Sequence, residues 1–203
     1  MKSVAVLYGG ISAEREVSLA SGRQVIAALA EAGYAVQPIE VGRDLGALIA
    51  ALDPAPNVVF NALHGRFGED GTIQGVLDWL GIPYTHSGVR ASALAMDKVA
   101  AKAVFAAAGI PVAAHRLVGL DELAEGDPLP RPYVVKPVNE GSSVGVAILR
   151  AGDNRREAIA RGCRFGDAAL VEPFIPGREL TVGVMGERAL AVTEILPAHG
   201  FYD

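Results

Sequence analysis

Tyr133-Val134-Val135-Lys136-Pro137-Val138-Asn139-Glu140-Gly141-Ser142-Ser143-Val144-Gly145-Val146 is the stretch from which the rest of the chain is read. A β-branched run ends in a lysine, a loop of small residues follows, and a second apolar run extends from Val144 to Leu149. That pattern predicts a strand, a tight loop and a second strand. Gly141 and Gly145 let the backbone turn sharply and approach a ligand without a Cβ in the way. Ser142 and Ser143 add hydroxyl donors beside any free loop N–H groups. Such a concavity suits phosphate oxygens, and Lys136 brings a point charge to them. No Gly-Lys-Ser/Thr closes the loop and no helix follows it, so this is not a Walker loop. The plain alternative is a hairpin turn decorated with polar residues.

Upstream, Val4 to Tyr8 is an apolar run without polar alternation, as in a strand covered on both faces. Gly9-Gly10 and an acidic turn containing Glu14 and Glu16 follow, and then a helical pattern with apolar or small positions at 22, 25, 26 and 29 and a stop at Gly33. Strand, glycine pair and helix start together place free N–H groups over a strand end. The two glutamates are either favourable helix-start acids or, for one of them, a carboxylate turned to a ligand's ammonium group. Ala35 to Val41 and Asn57 to Leu63 read as further strands, with a helix over Leu45 to Leu52 between them. This alternation is the mark of a doubly wound parallel sheet, in which ligands bind beyond the carboxyl ends of the strands. His64 stands at such an end, before the loop Gly65 to Gly71. Ile73, Val76, Leu77 and Leu80 form one helical stripe, Tyr84-Thr85 a short strand, and Ala91 to Ala108 one alanine-rich helix containing Asp97-Lys98.

After Pro111 the texture changes to hairpins with one or two helices. A strand over His115 to Val118, the hairpin at Tyr133, a helix over Asn154 to Arg164, and strands around Ala169 to Ile175, Leu180 to Met185 and Ala189 to Leu196 read as an α+β unit. The last residues, Phe201-Tyr202-Asp203, directly follow a strand with no terminating element, so the chain reads as interrupted.

Composition bounds the function. Hydrophobic residues make up 51% of the 203, which favours a packed core over disorder. A net charge of −5 and the lack of a basic block argue against nucleic acid or a membrane surface as partner. The one cysteine, Cys163, has no internal disulfide partner, which fits a reducing cytoplasm. No apolar run reaches the ~18 residues of a membrane span, and the N-terminus reads as a strand rather than a signal peptide.

The motifs form one ordered set. Gly9-Gly10-Ile11-Ser12-Ala13-Glu14-Arg15-Glu16-Val17-Ser18 is followed by Ala62-Leu63-His64-Gly65 with Gly68-Glu69-Asp70-Gly71, by Met96-Asp97-Lys98, and by Val135-Lys136-Pro137 with Glu140-Gly141-Ser142-Ser143-Val144-Gly145. Glu179-Leu180-Thr181-Val182 and Phe201-Tyr202-Asp203 complete it. In this order and spacing the chain strongly resembles the D-alanine–D-alanine ligases of the ATP-grasp superfamily, over 1–203.

The resemblance implies an N-terminal substrate domain over 1–96, a central ATP-grasp subdomain over 97–180, and the start of a second ATP-grasp domain over 181–203. The implied reaction is phosphorylation of one D-alanine carboxylate by ATP and attack on the acylphosphate by the amine of a second D-alanine. Glu14 would bind the first D-alanine's ammonium, with Val17 packing nearby and His64 close to its carboxylate. Ser142 would hydrogen-bond Glu14 and orient that substrate, and Ser143 would cradle phosphates. Lys98 and Lys136 would contact phosphate oxygens. Glu172 would accept from the adenine amino group, the backbone at Phe174 and Ile175 would read its edge, Glu179 would hold the ribose, and Phe201 would pack on the adenine. Mg²⁺, with Mn²⁺ as a substitute, would be held by residues of a longer chain, so the 203 residues alone are expected to be inactive. A D-alanine–D-lactate ligase and a non-catalytic binding module are the neighbouring readings. Family likeness also implies a cytoplasmic homodimer serving peptidoglycan synthesis.

Overall fold

The computed structural model describes residues 2–196. The chain divides into two compact units, residues 1–112 with 138–141, and residues 113–137 with 142–203.

In the first unit, β1 (Ser3–Gly9) lies between β2 (Ala35–Val41) and β3 (Val58–Asn61), and both pairings are parallel. The period of two along β1 divides its side chains between opposite faces. Val4 and Val6 join Ala62 in a cluster with Val25, Ile26 and Leu29 of α1 (Arg15–Glu31). Ala5 and Leu7 join Leu48 of α2 (Leu45–Ala51) and Ile73 and Leu77 of α3 (Thr72–Leu80). Helices cover both faces, which is why the β1 sequence is apolar without alternation. The strand expected at Tyr84-Thr85 is a single parallel bridge from Val59 to Tyr84.

The alanine-rich segment is two helices, α4 (Val89–Met96) and α5 (Lys98–Ala107), where one was expected. Asp97 breaks it. Its backbone is extended and its carboxylate accepts from Val99 N (3.0 Å) and Ala100 N (2.9 Å), so it caps α5 instead of continuing α4. The cap places Lys98 on the first residue of α5, where its backbone N–H donates to Val138 O at 3.1 Å.

The second unit holds an antiparallel sheet of order β4 (Arg116–Gly119), β7 (Ala168–Pro173), β5 (Tyr133–Pro137), β6 (Ala147–Leu149). One face, carrying Val118, Tyr133, Val135, Leu149, Ala169 and Val171, packs with Leu123 of α6 (Leu120–Glu125) and Ala160 of α7 (Arg156–Gly162). The strand expected from Val144 begins only at Ala147, because Gly145 sits at φ 68° and Val146 N closes a turn on Ser143 O. The helix expected over Asn154 to Arg164 is the shorter α7. A separate hairpin joins β8 (Glu179–Met185) and β9 (Arg188–Ile195).

Candidate functional site

In the first unit, the loop between β1 and α1 is held by three serines. Ser12 Oγ donates to His64 O (2.7 Å) and accepts from Glu14 N (3.1 Å). Ser18 Oγ, fully buried, donates to Ala62 O (2.6 Å) and accepts from Gly9 N (2.9 Å), tying the start of α1 to the ends of β1 and β3. Ser21 Oγ lies 3.0 Å from His64 Nε2. Residues 14, 18 and 21 recur at helical spacing, so one stripe of α1 faces the strand ends. Val17 is exposed on the same helix.

Glu14 precedes the first turn of α1, yet its side chain makes no capping bond. Oε2 of this carboxylate is buried and has no hydrogen-bond partner among the described residues. A Cβ added to Gly65 or Gly141 would fall 2.6 or 2.7 Å from that oxygen, so it packs against two positions where only glycine leaves it room. Burial pushes the Glu14 pKa up, and the negative charges of Glu69 and Glu140 add to the rise while His64 opposes it. A carboxylate desolvated among other carboxylates is a receptor for a cation. A ligand ammonium would supply both the missing hydrogen bond and the missing charge.

His64 is held on both sides, by Ser21 at Nε2 and by Glu69 Oε1 at 3.6 Å from Nδ1. Glu69 Oε2 accepts from Gly65 N at 2.7 Å. The loop carrying Glu69 is anchored by two buried amides, Asn61 Nδ2 and Gln74 Nε2, which both donate to Gly68 O at 2.8 and 3.0 Å. Sequence reading singled out His64 but missed Ser21 and Glu69; the i, i+7 spacing of Ser21 from Glu14 is the signal that was there. Lys98 Nζ donates to Glu140 O within the same unit, so it already touches the backbone of the glycine-serine loop.

In the second unit, Lys136 stands on β5 and Glu172 on β7. Their strands pair with Lys136 opposite Leu170 and Val134 opposite Glu172, which makes the two charged residues diagonal neighbours on the face away from α6 and α7. Lys136 Nζ donates to Glu172 Oε2 at 2.6 Å. Beyond the strand, Phe174 N donates to Pro132 O (3.1 Å), and the Arg150 guanidinium lies 4.8 Å from the centre of the Phe174 ring. That backbone N–H of Phe174 is therefore engaged, while Ile175 is exposed. Ser142 lies on the glycine-serine loop at φ 51°, in the left-handed region, and Ser143 contributes the carbonyl that closes the loop's turn. A Cβ on Gly145 would fall 2.8 Å from Pro137 Cγ and 3.1 Å from Phe165, so the loop passes too close to the sheet for any other residue. Glu179 opens β8 and is exposed. Phe201 lies outside the described residues. Among the described residues no group of three or more His, Cys, Asp or Glu is placed to hold a metal.

Comparison with known proteins bears on what these two sets of residues serve. The family model described as D-ala D-ala ligase N-terminus matches residues 3–48 and 46–87, and that described as D-ala D-ala ligase C-terminus matches 104–203. A D-alanine–D-alanine ligase of Acidiphilium cryptum is 77% identical over 203 residues, covering 100% of this chain and 67% of its own length. One from Granulibacter bethesdensis is 71% identical, with 100% and 66% covered. The chain thus spans about two thirds of the length of these curated relatives. Two crystal structures of D-alanine–D-alanine ligase from Bacillus anthracis, one of them complexed with ATP, superpose with TM-scores of 0.81 at 31% and 30% identity. They cover 100% and 99% of this chain, which spans 69% and 68% of theirs. On an α/β fold with a parallel N-terminal sheet and a buried, unpartnered carboxylate at its strand ends, the chain belongs to the D-alanine–D-alanine ligase family.

Proposed function

We propose that the protein joins two D-alanines into D-alanyl-D-alanine at the expense of ATP, as a cytoplasmic step of peptidoglycan precursor synthesis. The observation that carries this reading is the Glu14 carboxylate, whose Oε2 is buried against two glycines without a hydrogen-bond partner and whose pKa is raised by that burial and by Glu69 and Glu140. It accepts the ammonium of the first D-alanine, Val17 packs against that substrate, and His64, held by Ser21 and Glu69, faces its carboxylate. Ser142 orients the same substrate. Lys98, Lys136 and Ser143 bind the ATP phosphates. Glu172 accepts from the adenine amino group, the backbone at Phe174 and Ile175 reads the adenine edge, Glu179 holds the ribose, and Phe201 packs on the base.

An oxygen of the first D-alanine's carboxylate attacks the γ-phosphorus, and the bond to the bridging oxygen breaks to release ADP. The neutral amine of the second D-alanine then attacks the acyl carbon, and phosphate departs from the tetrahedral intermediate with the electron pair of the breaking C–O bond and takes the proton that the nitrogen loses. Phosphoryl transfer asks the protein for charge neutralisation and alignment. Lysines on the phosphates and a carboxylate on the ammonium provide both. Mg²⁺, when bound, would supply further charge on the phosphates; the described residues offer no ligand cluster for it, so no residue here is assigned to the metal. The 203 residues alone are expected to bind substrates without turnover.

The relatives' names favour D-alanine over D-lactate as the second substrate. No described helix is long and apolar enough to cross a membrane. Likeness to the family is what supports a homodimer. The test is phosphate release from ATP by the protein at its relatives' full length, with mass spectrometry of the product, beside the chain ending at Asp203. D-alanyl-D-alanine from the first and none from the second is expected. Product from D-lactate alone, or turnover by the shorter chain, would overturn the corresponding statement.

A further inference from the structure

A cavity of about 350 Å³ lies in the first unit, lined on α2 by Leu45 and Leu48, on α3 by Ile73 and Val76, and on the connecting segments by Leu63 and Phe67. Its side-chain lining is mostly apolar; the polar exceptions are His64, Thr72 and the exposed Arg43 and Arg66. Neither arginine makes a hydrogen bond or ion pair among the described residues, and Arg66 rests its guanidinium 5.3 Å from the centre of the Phe67 ring. The nearby carboxylates are already engaged. Glu40 pairs with Arg15, Asp44 Oδ1 accepts from Ala47 N, Asp70 accepts from Phe67 N and Thr72 N, and Glu69 accepts from Gly65 N. Phe67 itself holds φ 67°, which a bulky residue rarely adopts. An apolar chamber of ligand size whose lining carries two guanidiniums and no carboxylate suits an aliphatic body ending in a carboxylate.

We propose that this cavity binds a small amphipathic carboxylic acid, its tail among Leu48, Leu63, Ile73 and Val76 and its carboxylate on Arg43 and Arg66. His64 lines the same cavity and is bonded through Nε2 to Ser21, so the occupant acts on binding of the first D-alanine through the His64 ring. That coupling rests on the ligase reading; occupancy of the cavity does not.

The experiment is calorimetric titration of the full-length protein with octanoate, and with octanol for comparison, in the absence of substrates. Octanoate is expected to bind roughly tenfold more tightly than octanol, because only the carboxylate engages the arginines. The double variant Arg43→Gln/Arg66→Gln should remove that preference. Leu45→Trp, at a half-exposed position on the first residue of α2, should fill the cavity and abolish binding of both probes. Equal affinity for octanoate and octanol, or unchanged octanoate binding in both variants, would overturn the proposal. In the ligase assay, octanoate should raise the D-alanine requirement severalfold and leave that for ATP alone; an unchanged D-alanine requirement would overturn the coupling. Because binding is read without substrates, its failure is distinct from an absence of D-alanine-dependent phosphate release, which would count against the ligase reading alone.

Discussion

Lys136 and Glu172, on neighbouring strands of the second unit, are joined by a 2.6 Å ion pair whose carboxylate is nearly buried. The two sit diagonally across the β5–β7 ladder on one face, where each neutralises the other in the absence of ATP. A charge taken from water is costly unless it is paired, so each residue depends on its partner. Lys136→Met leaves the Glu172 carboxylate without this partner, and the fold should lose about 1.5–3 kcal/mol. Glu172→Gln, which keeps the shape and an acceptor, should cost less. Both should weaken ATP binding while leaving D-alanine binding to the first unit unchanged. Chemical denaturation and nucleotide titration of the two variants check this, and an unchanged nucleotide affinity in both would exclude the face from the ATP site.

Glu14→Gln should make the protein more stable and less able to bind D-alanine. Burial and the charges of Glu69 and Glu140 raise the Glu14 pKa above its ordinary value, so the folded state favours the protonated acid. A raised carboxylate contributes stability that is present below the unfolded pKa and is lost as pH rises through the folded one. To the extent that the carboxylate is ionised at neutral pH the wild type carries this charge penalty, which the neutral amide lacks. The melting temperature of Glu14→Gln should exceed the wild type's at pH 7, and the two should converge below the ordinary carboxylate range. A lower melting temperature at pH 7 would mean that the carboxylate is a structural partner rather than a vacant receptor.

How much of this was legible in the sequence depends on the range of the interaction. The strands β1, β2 and β3 and the helices between them were readable because doubly covered strands must be apolar throughout, and Val4 to Leu7 are. The break at Asp97 was not read, since the alanine periodicity runs straight through it and only a side chain folding back on Val99 and Ala100 interrupts the helix. His64 stood out from its place after a strand. Ser21, 43 residues away, becomes its partner only once α1 is laid across the sheet. The same holds for Lys136 and Glu172, whose pairing is a property of register rather than of spacing. Residues 138–141 follow β5 yet pack with the first unit through Lys98, a contact that no local pattern announces.

Acid should weaken the second unit through Asp127. Its carboxylate accepts two hydrogen bonds from Arg131, at 2.9 Å each, and a third from the Tyr133 hydroxyl at 2.7 Å, and these donors hold its pKa down to about 2. The Tyr133 hydroxyl is pushed up to about 12 by burial and by that same bond. A lowered carboxylate stabilises the fold above the ordinary aspartate range, and the contribution fades as pH falls from there toward about 2. Asp127→Asn should flatten the loss of stability over that window and lower the melting temperature at pH 7. Tyr133→Phe keeps the buried ring and loses only the hydroxyl, for about 1 kcal/mol. Melting curves between pH 2 and pH 5, a window set by these pKa values, check both; a wild-type acid transition unchanged by Asp127→Asn would remove this residue from the account.

Ser21 and Gly22 are neighbours on α1 with opposite duties, and alanine at each should separate them. A Cβ on Gly22 would collide with Tyr8 on β1, because the helix crosses the strand at that point. Overpacking of this kind costs about 1–3 kcal/mol, so Gly22→Ala should lower the melting temperature and leave the substrate requirements of surviving enzyme unchanged. Ser21→Ala removes a partly exposed hydroxyl that bonds Val17 O and His64 Nε2, and alanine is the better helix former, so stability should hold. What it loses is the restraint on the imidazole. The D-alanine requirement should rise severalfold with that for ATP constant, and Ser21→Thr, which restores a hydroxyl, should recover part of the loss. If Ser21→Ala instead lowers the melting temperature as Gly22→Ala does, with unchanged kinetics, then Ser21 serves the packing of α1 and not the orientation of His64.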